Sequence, residues 1–202
     1  MHREDERYQT NENDIVLGRD TIYLIRHGQT NWNVEKRLMG STDTPLNKNG
    51  IEQVKSLGQK ISQLEISHIF SSDLLRAKET AEIINNFINV DISLDSRLRE
   101  FNYGDIEGKT LKEISSENWN RVNLYPEQLN AESLENVYDR VKNFFEDLAK
   151  RNISNVIIIT HGGTLRMMLY YAKNKDHFIK EDYIKNYLNL KIENSSLIEM
   201  ER

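Results

Sequence analysis

Residues 21–33 read Thr-Ile-Tyr-Leu-Ile-Arg-His-Gly-Gln-Thr-Asn-Trp-Asn. Ile22, Tyr23, Leu24 and Ile25 form an apolar run of β-formers that stops at Arg26-His27-Gly28, the pattern of a buried strand ended by a turn. In an open α/β sheet, chemistry collects where strands end at their carboxyl edge. Such a strand delivers Arg26 and His27 to that edge on a rigid element, with Gly28 expected to let the backbone turn sharply beside them.

A second run repeats the device. Asn155-Val-Ile-Ile-Ile-Thr160 is β-branched almost throughout, as expected of a central parallel strand covered on both faces. It ends at His161-Gly162-Gly163. If the two strands are neighbours, His27 and His161 face each other across one cleft, and Gly162 lets backbone approach a ligand closely.

The intervening pattern alternates. Ile51, Val54, Leu57, Ile61 and Leu64 recur at helical spacing after Asn47, and residues 68–71 read as a strand. Asp73 is the expected N-cap of a helix over 74–88, which places Arg76 in its first turn. A weaker strand covers 90–94, and 98–108 is loop-like. Thr110 and Glu113 form a capping box that should start a short helix. Residues 118–132 read as a loop, Ser133 caps a strongly amphipathic helix, and 164–172 is helical. Asp176 is expected to cap a further helix, and 188–193 with 196–200 look like a hairpin. The alternation predicts a three-layer α/β/α sandwich, with a mostly parallel central sheet of about six strands and one antiparallel strand near the C-terminus. Residues 1–18 offer little to bury and read as a flexible tail, leaving 19–202 as a single catalytic domain.

Composition narrows the function classes. With 27 Lys+Arg against 32 Asp+Glu the net charge is -5, which argues against nucleic acid or an anionic membrane as the main partner. No cysteine is present, so a Cys nucleophile and thiolate metal sites are excluded. No apolar stretch is long enough to span a bilayer, and residues 1–14 lack the apolar segment of a secretory signal, so a cytoplasmic protein is expected.

Arg26, Arg76, His27 and His161 would concentrate positive charge and planar guanidinium forks, which suits a phosphate dianion. A metal-ligand role for His27 is disfavoured by the adjacent arginine and by the lack of a second ligand at i+2 or i+4. Neutral imidazole can instead attack phosphorus. The leaving alkoxide then needs an acid. Glu100 is a candidate because Phe101 and Tyr103 would desolvate it and raise its pKa. Spacing alone leaves Glu107, Asp105 and Glu113 open.

Leu24–Asn33, Ser71–Ala81, Leu98–Gly108 and Thr160–Gly163 resemble the four ordered signatures of the histidine phosphatase superfamily, the phosphoglycerate-mutase-like group. The resemblance covers 21–172 and implies that His27 is the nucleophile. It also implies that Arg26, Arg76 and His161 bind phosphate, that Asn33 is a further contact, and that Glu100 serves as acid and then base. No metal and no cofactor are expected. Met39 departs from a glutamine carried by otherwise similar broad-specificity phosphatases. Glu100 and His161 lie 161 − 100 = 61 positions apart, which resembles the compact phosphatase branch rather than the mutases. The expected activity is a phosphomonoesterase on small phosphorylated metabolites, with a mutase-type phosphotransferase or a non-catalytic phospho-ligand binding module as alternatives.

Overall fold

The computed structural model describes residues 21–110, 112–117, 126–151, 153–175 and 177–201. The expected tail 1–18, Trp119, Arg121, Tyr125 and the expected cap Asp176 lie outside them. Five strands, β1 (Thr21–Arg26), β2 (His68–Ser71), β3 (Asp91–Leu94), β4 (Val156–Thr160) and β5 (Leu197–Glu201), form one sheet in the order β3-β2-β4-β1-β5. All pairings are parallel except β1 with β5. The two apolar runs are neighbours as expected, in a register that sets Arg26 opposite Thr160.

Strand alternation sends successive side chains into two separate cores. Ile22, Leu24, Val156 and Ile158 pack beneath α4 (Leu134–Lys150) and α5 (Gly162–Asn174). Ile25, Ile157 and Ile159 pack against α2 (Lys48–Ile61) and α3 (Leu75–Ile88) on the opposite face. This is the three-layer sandwich. Ile157, Ile158 and Ile159 are all fully buried, and each contributes about 1.5–3 kcal/mol of hydrophobic stabilisation. Two shorter α-helices, α1 (Asn31–Glu35) and α6 (Lys180–Asn186), and 3-10 turns at Ser96–Leu98, Gly104–Ile106 and Pro126–Leu129 are also described. No described helix is long and apolar enough to cross a membrane.

One local expectation holds: Ser133 caps α4, accepting from the Asn136 N–H at 3.1 Å; Asn47 likewise caps α2, accepting from the Gly50 N–H at 2.8 Å. Removing such a cap costs about 1 kcal/mol. Others are corrected. Asp73 does not cap α3, because its carboxylate is taken by a bidentate pair with Arg99 at 2.6 Å. Asp43, from a distant loop, accepts the Leu75 N–H at 2.6 Å instead. Glu113 does reach back to the Thr110 N–H at 2.7 Å, but residues 112–114 turn and the helical residues begin only at 116. Thr30 and Asn33 form a capping box over the five-residue α1.

Among the described residues the sheet has five strands rather than about six, because the expected hairpin at 188–200 is absent. Residues 187–189 turn, 190–193 are irregular, and only β5 joins the sheet. The carbonyls of Leu190 and Ile192 accept hydrogen bonds from Arg166 and Arg26, so they are not free for a strand ladder.

Candidate active site

Parallel pairing of β1 with β4 carries His27 and His161 off adjacent strand ends, and the His27 N–H donates to the Thr160 carbonyl at 3.0 Å. Their rings lie 5.1 Å apart, centre to centre, tilted by 55°. Both are buried. Gly28 is required for a reason other than the expected sharp turn. A Cβ there would meet Val54 Cγ2 at 2.7 Å and the Gly50 carbonyl at 2.9 Å, so glycine lets α2 press against the strand end.

The hydrogen bonds assign both tautomers. His27 Nδ1 lies 2.7 Å from the Gly28 carbonyl, which can only accept, so Nδ1 carries the proton and Nε2 presents a lone pair. Arg76 Nε lies 3.1 Å from His161 Nδ1, and guanidinium can only donate, so that nitrogen is the acceptor. His161 Nε2–H then donates to Ser72 Oγ at 2.8 Å. Burial, followed by the charges of Arg76 and Arg26, pushes His27 well below its usual 6.5. Burial, then Arg76 and His27, does the same to His161. Both imidazoles are neutral near pH 7.

Arg76 is fully buried and bonds to no carboxylate among the described residues. It donates to the carbonyls of Thr42 (2.9 Å) and Gly40 (2.8 Å) as well as to His161. Burial pulls it down to about 10, still charged at neutral pH. Arg26 donates Nη1–H to the Ile192 carbonyl at 2.5 Å. Its buried Nε has no partner among the described residues and would stand 3.5 Å from a Cβ at Gly162. Two desolvated cations held by neutral carbonyls leave their charge for an anion.

Glu100 sits at the N-terminus of α5. Oε2 accepts from the Gly163 N–H at 3.0 Å, and Oε1 accepts from Thr164 N–H at 3.1 Å and Phe101 N–H at 3.0 Å. A Cβ at Gly163 would lie 2.5 Å from Oε1, so the close approach of Glu100 demands glycine. Oε1 has spent both lone pairs, which leaves Oε2 as the oxygen able to carry and hand over a proton. Asn33 uses its carbonyl oxygen to accept from Thr30 N–H (3.0 Å) and Asn194 Nδ2 (3.2 Å), and its own Nδ2 has no partner among the described residues.

These groups share one cavity of about 560 Å³, walled by Arg26, His27, Asn33, Arg76, Glu100 and Gly162 among others. His161 is not on that wall; both its ring nitrogens are engaged and it backs Arg76. Of the other acids left open by spacing, Glu107 is tied by Ser41, Thr42 and Tyr103, and Glu113 by Thr110. Asp105 bonds to Asn130. Lys36, Arg37, Phe101, Tyr103 and Met39 also line the cavity. Met39 is buried, with its sulfur 3.3 Å from the Thr30 hydroxyl. Sequence reasoning missed Arg166 and Tyr183 on the same wall. The i, i+4 spacing of Gly162 and Arg166 on one helix face was the available signal. Among the described residues no cluster of three or more His, Asp or Glu side chains could hold a metal ion.

Comparison with known proteins places the chain in a family and a fold. The family model of the histidine phosphatase superfamily (branch 1) matches residues 22–201. "Probable phosphoglycerate mutase GpmB" of Salmonella paratyphi A is 41% identical over 126 residues, 59% of each chain. The protein of the same name in Escherichia coli O1:K1 / APEC is 39% identical over 153 residues, 70% of this chain and 69% of that one. Among solved structures, Bacillus stearothermophilus YhfR superposes with a TM-score of 0.75 at 30% identity, covering 90% of both chains.

Proposed function

The chain belongs to the histidine phosphatase superfamily, and from that premise we propose that it is a metal-independent phosphomonoesterase acting through a phosphohistidine on small phosphorylated metabolites of the cytoplasm. One observation carries the reading. The Nδ1–H of His27 is fixed on the Gly28 carbonyl, so a neutral Nε2 lone pair stands in a cavity that also holds Arg26, Arg76 and Glu100.

In the proposed reaction the substrate's phosphate is drawn in by Arg26, Arg76, the Gly162 end of α5 and Asn33. His27 Nε2 attacks phosphorus; a P–N bond forms and the ester P–O bond breaks. Glu100 gives its Oε2 proton to the departing alkoxide. The Gly28 carbonyl accepts from Nδ1–H throughout and steadies the cationic phosphoimidazole. Water then attacks phosphorus, Glu100 takes its proton, and the P–N electron pair returns to Nε2 as inorganic phosphate leaves. His161 holds the Arg76 guanidinium from behind rather than touching phosphate.

The names of two relatives favour a second reading, in which the phosphoryl group returns to the substrate as in a mutase. The two readings share the first half-reaction and differ in what accepts from His27. Phosphorus NMR of 3-phosphoglycerate with a bisphosphoglycerate primer separates them. The proposal expects inorganic phosphate to outrun 2-phosphoglycerate. Isomerisation faster than phosphate release would replace it with the mutase. A panel of phosphomonoesters, with and without EDTA, tests the rest. Turnover lost on chelation and restored by a divalent ion would overturn the metal-independent mechanism.

A further inference from the structure

The turn ahead of β5 directs its polar groups at the end of β1. The Ser195 N–H donates to the carbonyls of Arg26 (3.0 Å) and His27 (3.3 Å), and Asn194 Nδ2 donates to those of His27 (3.0 Å) and Gly28 (3.3 Å). Two residues thus hold three consecutive carbonyls around the candidate nucleophile. Ser195 has φ 57, a left-handed conformation that costs a residue with a Cβ about 1–2 kcal/mol. Strain of that kind persists where the surroundings enforce it, and it clusters at functional sites.

The atom of Asn194 that faces β1 is its nitrogen, because it meets only acceptors: the two carbonyls and, at 3.2 Å, Asn33 Oδ1. Asn194 is not on the cavity wall, so it acts through what it holds. The Gly28 carbonyl is the acceptor that keeps a proton on His27 Nδ1, at 2.7 Å. A carbonyl has two lone pairs, and Asn194 takes the one that His27 leaves. The same peptide unit is pinned at its other end, where the Gln29 N–H donates to Gln53 Oε1 at 3.2 Å. If that plane turned, the acceptor would leave Nδ1, and the proton could move to Nε2.

Resting on the phosphatase reading, we propose that Asn194 is a positioning residue for the nucleophile. Its carboxamide holds the Gly28 carbonyl against His27 Nδ1 and so keeps the Nε2 lone pair free for phosphorus. Neutral imidazole exchanges between two N–H tautomers, and only the one fixed here can attack. The bond counts again after transfer, when the phosphoimidazole is cationic and its Nδ1–H bond is charge-assisted. A residue 167 positions after His27 thereby completes the site.

Nitrogen NMR and steady-state kinetics on the whole protein test this together. In protein labelled at histidine, the His27 ring is identified by the signals lost in His27→Gln. The wild type should show it as one tautomer, with the proton on Nδ1, near neutral pH. Asn194→Ala and Asn194→Asp should bring in the Nε2–H tautomer and lower kcat on p-nitrophenyl phosphate about tenfold or more. Aspartate is nearly isosteric but its carboxylate cannot donate, so it should cost at least as much as alanine. KM should stay within about threefold, because Asn33 keeps its bond from the Thr30 N–H. Leu197→Ala controls for the seating of β5, since Leu197 pairs with Ile25 and packs on the core beneath it. It should lower Tm yet leave the tautomer unchanged and kcat within about twofold. A tautomer that does not change in the Asn194 variants overturns the proposal. So does a loss carried by KM, which would assign Asn194 to phosphate binding through Asn33. Equal mixing of tautomers in Leu197→Ala also overturns it, by assigning the effect to the strand rather than the carboxamide. Failure of the phosphatase reading shows separately, as a wild type that hydrolyses no phosphomonoester while its His27 tautomer is still read by NMR.

Discussion

Glu107 and Arg76 grip one stretch of loop, residues 40–42, through opposite groups and share Thr42. Glu107 accepts the N–H of Ser41 (2.8 Å) and of Thr42 (3.0 Å), while Arg76 donates to the carbonyls of Gly40 (2.8 Å) and Thr42 (2.9 Å). Gly40 has φ 52, and a Cβ there would stand 1.9 Å from Glu107 Oε1, so the loop can close on the carboxylate only with glycine. The carboxylate organises the loop, and the loop orients the guanidinium.

Glu107→Gln should therefore lower kcat/KM about 10–100-fold, the usual cost of losing a partner that orients a binding group. The amide turns N–H donors toward backbone N–H donors. The loss should be equal on p-nitrophenyl phosphate and on alkyl phosphates, because Glu107 orients Arg76 and transfers no proton. A much larger loss on alkyl phosphates would make Glu107 the acid.

His27→Ala should abolish turnover by several orders of magnitude, about 10⁴-fold or more, with an unchanged circular dichroism spectrum. Wild-type protein incubated with an ester labelled on phosphorus and quenched in alkaline detergent should carry alkali-stable, acid-labile label that the variant lacks. A purified variant with more than about a tenth of wild-type activity rules out His27 as the nucleophile.

Glu100→Gln removes the proton but keeps the shape and most of the contacts with the N-terminus of α5. Alkyl phosphates, which need protonation on leaving, should suffer far more than p-nitrophenyl phosphate, which needs little. Equal losses would assign the proton to another group.

Acid should destabilise the fold through two residues. His27 and His161 titrate well below 6.5 when folded and near 6.5 when unfolded, so at mildly acid pH the unfolded chain binds more protons. Their contribution is fully present above the unfolded value and is lost as pH falls toward the folded ones. The slope is about 1.4 kcal/mol per pH unit for each histidine. Urea midpoints should fall between about pH 7.5 and about pH 5.5, and His161→Gln should flatten the dependence by one proton. A wild-type midpoint that does not move contradicts the buried neutral assignment.

The sequence carried the strand ends and the elements that deliver Arg26, His27, Arg76 and His161, because apolar periodicity marks which segments are buried. It could not carry the partners of those groups. Arg76 bonds to carbonyls 34 and 36 positions away, and every residue type has the same carbonyl. Residues 188–193 looked like a strand for a related reason. Their apolar alternation fits a strand, but the Leu190 and Ile192 carbonyls are drawn to Arg166 and Arg26 by contacts that only the folded chain creates. Asp73 was a sound cap by pattern and lost that place to a closer cation, Arg99. Tyr183 looked like one aromatic among many, since no sequence feature marks a hydroxyl that ends without a partner among the described residues.

The strand order has a consequence for the time course of synthesis. Strand β1, which carries Arg26 and leads into His27, pairs only with residues 156–160 and 197–201. It is made first among the strands and bonded last. A nascent chain that has reached residue 150 can close α2 against α3, yet it holds its candidate nucleophile on a strand with both edges open, the state most exposed to wrong pairing. The same central position that makes the finished site rigid leaves it the latest part of the sheet to form.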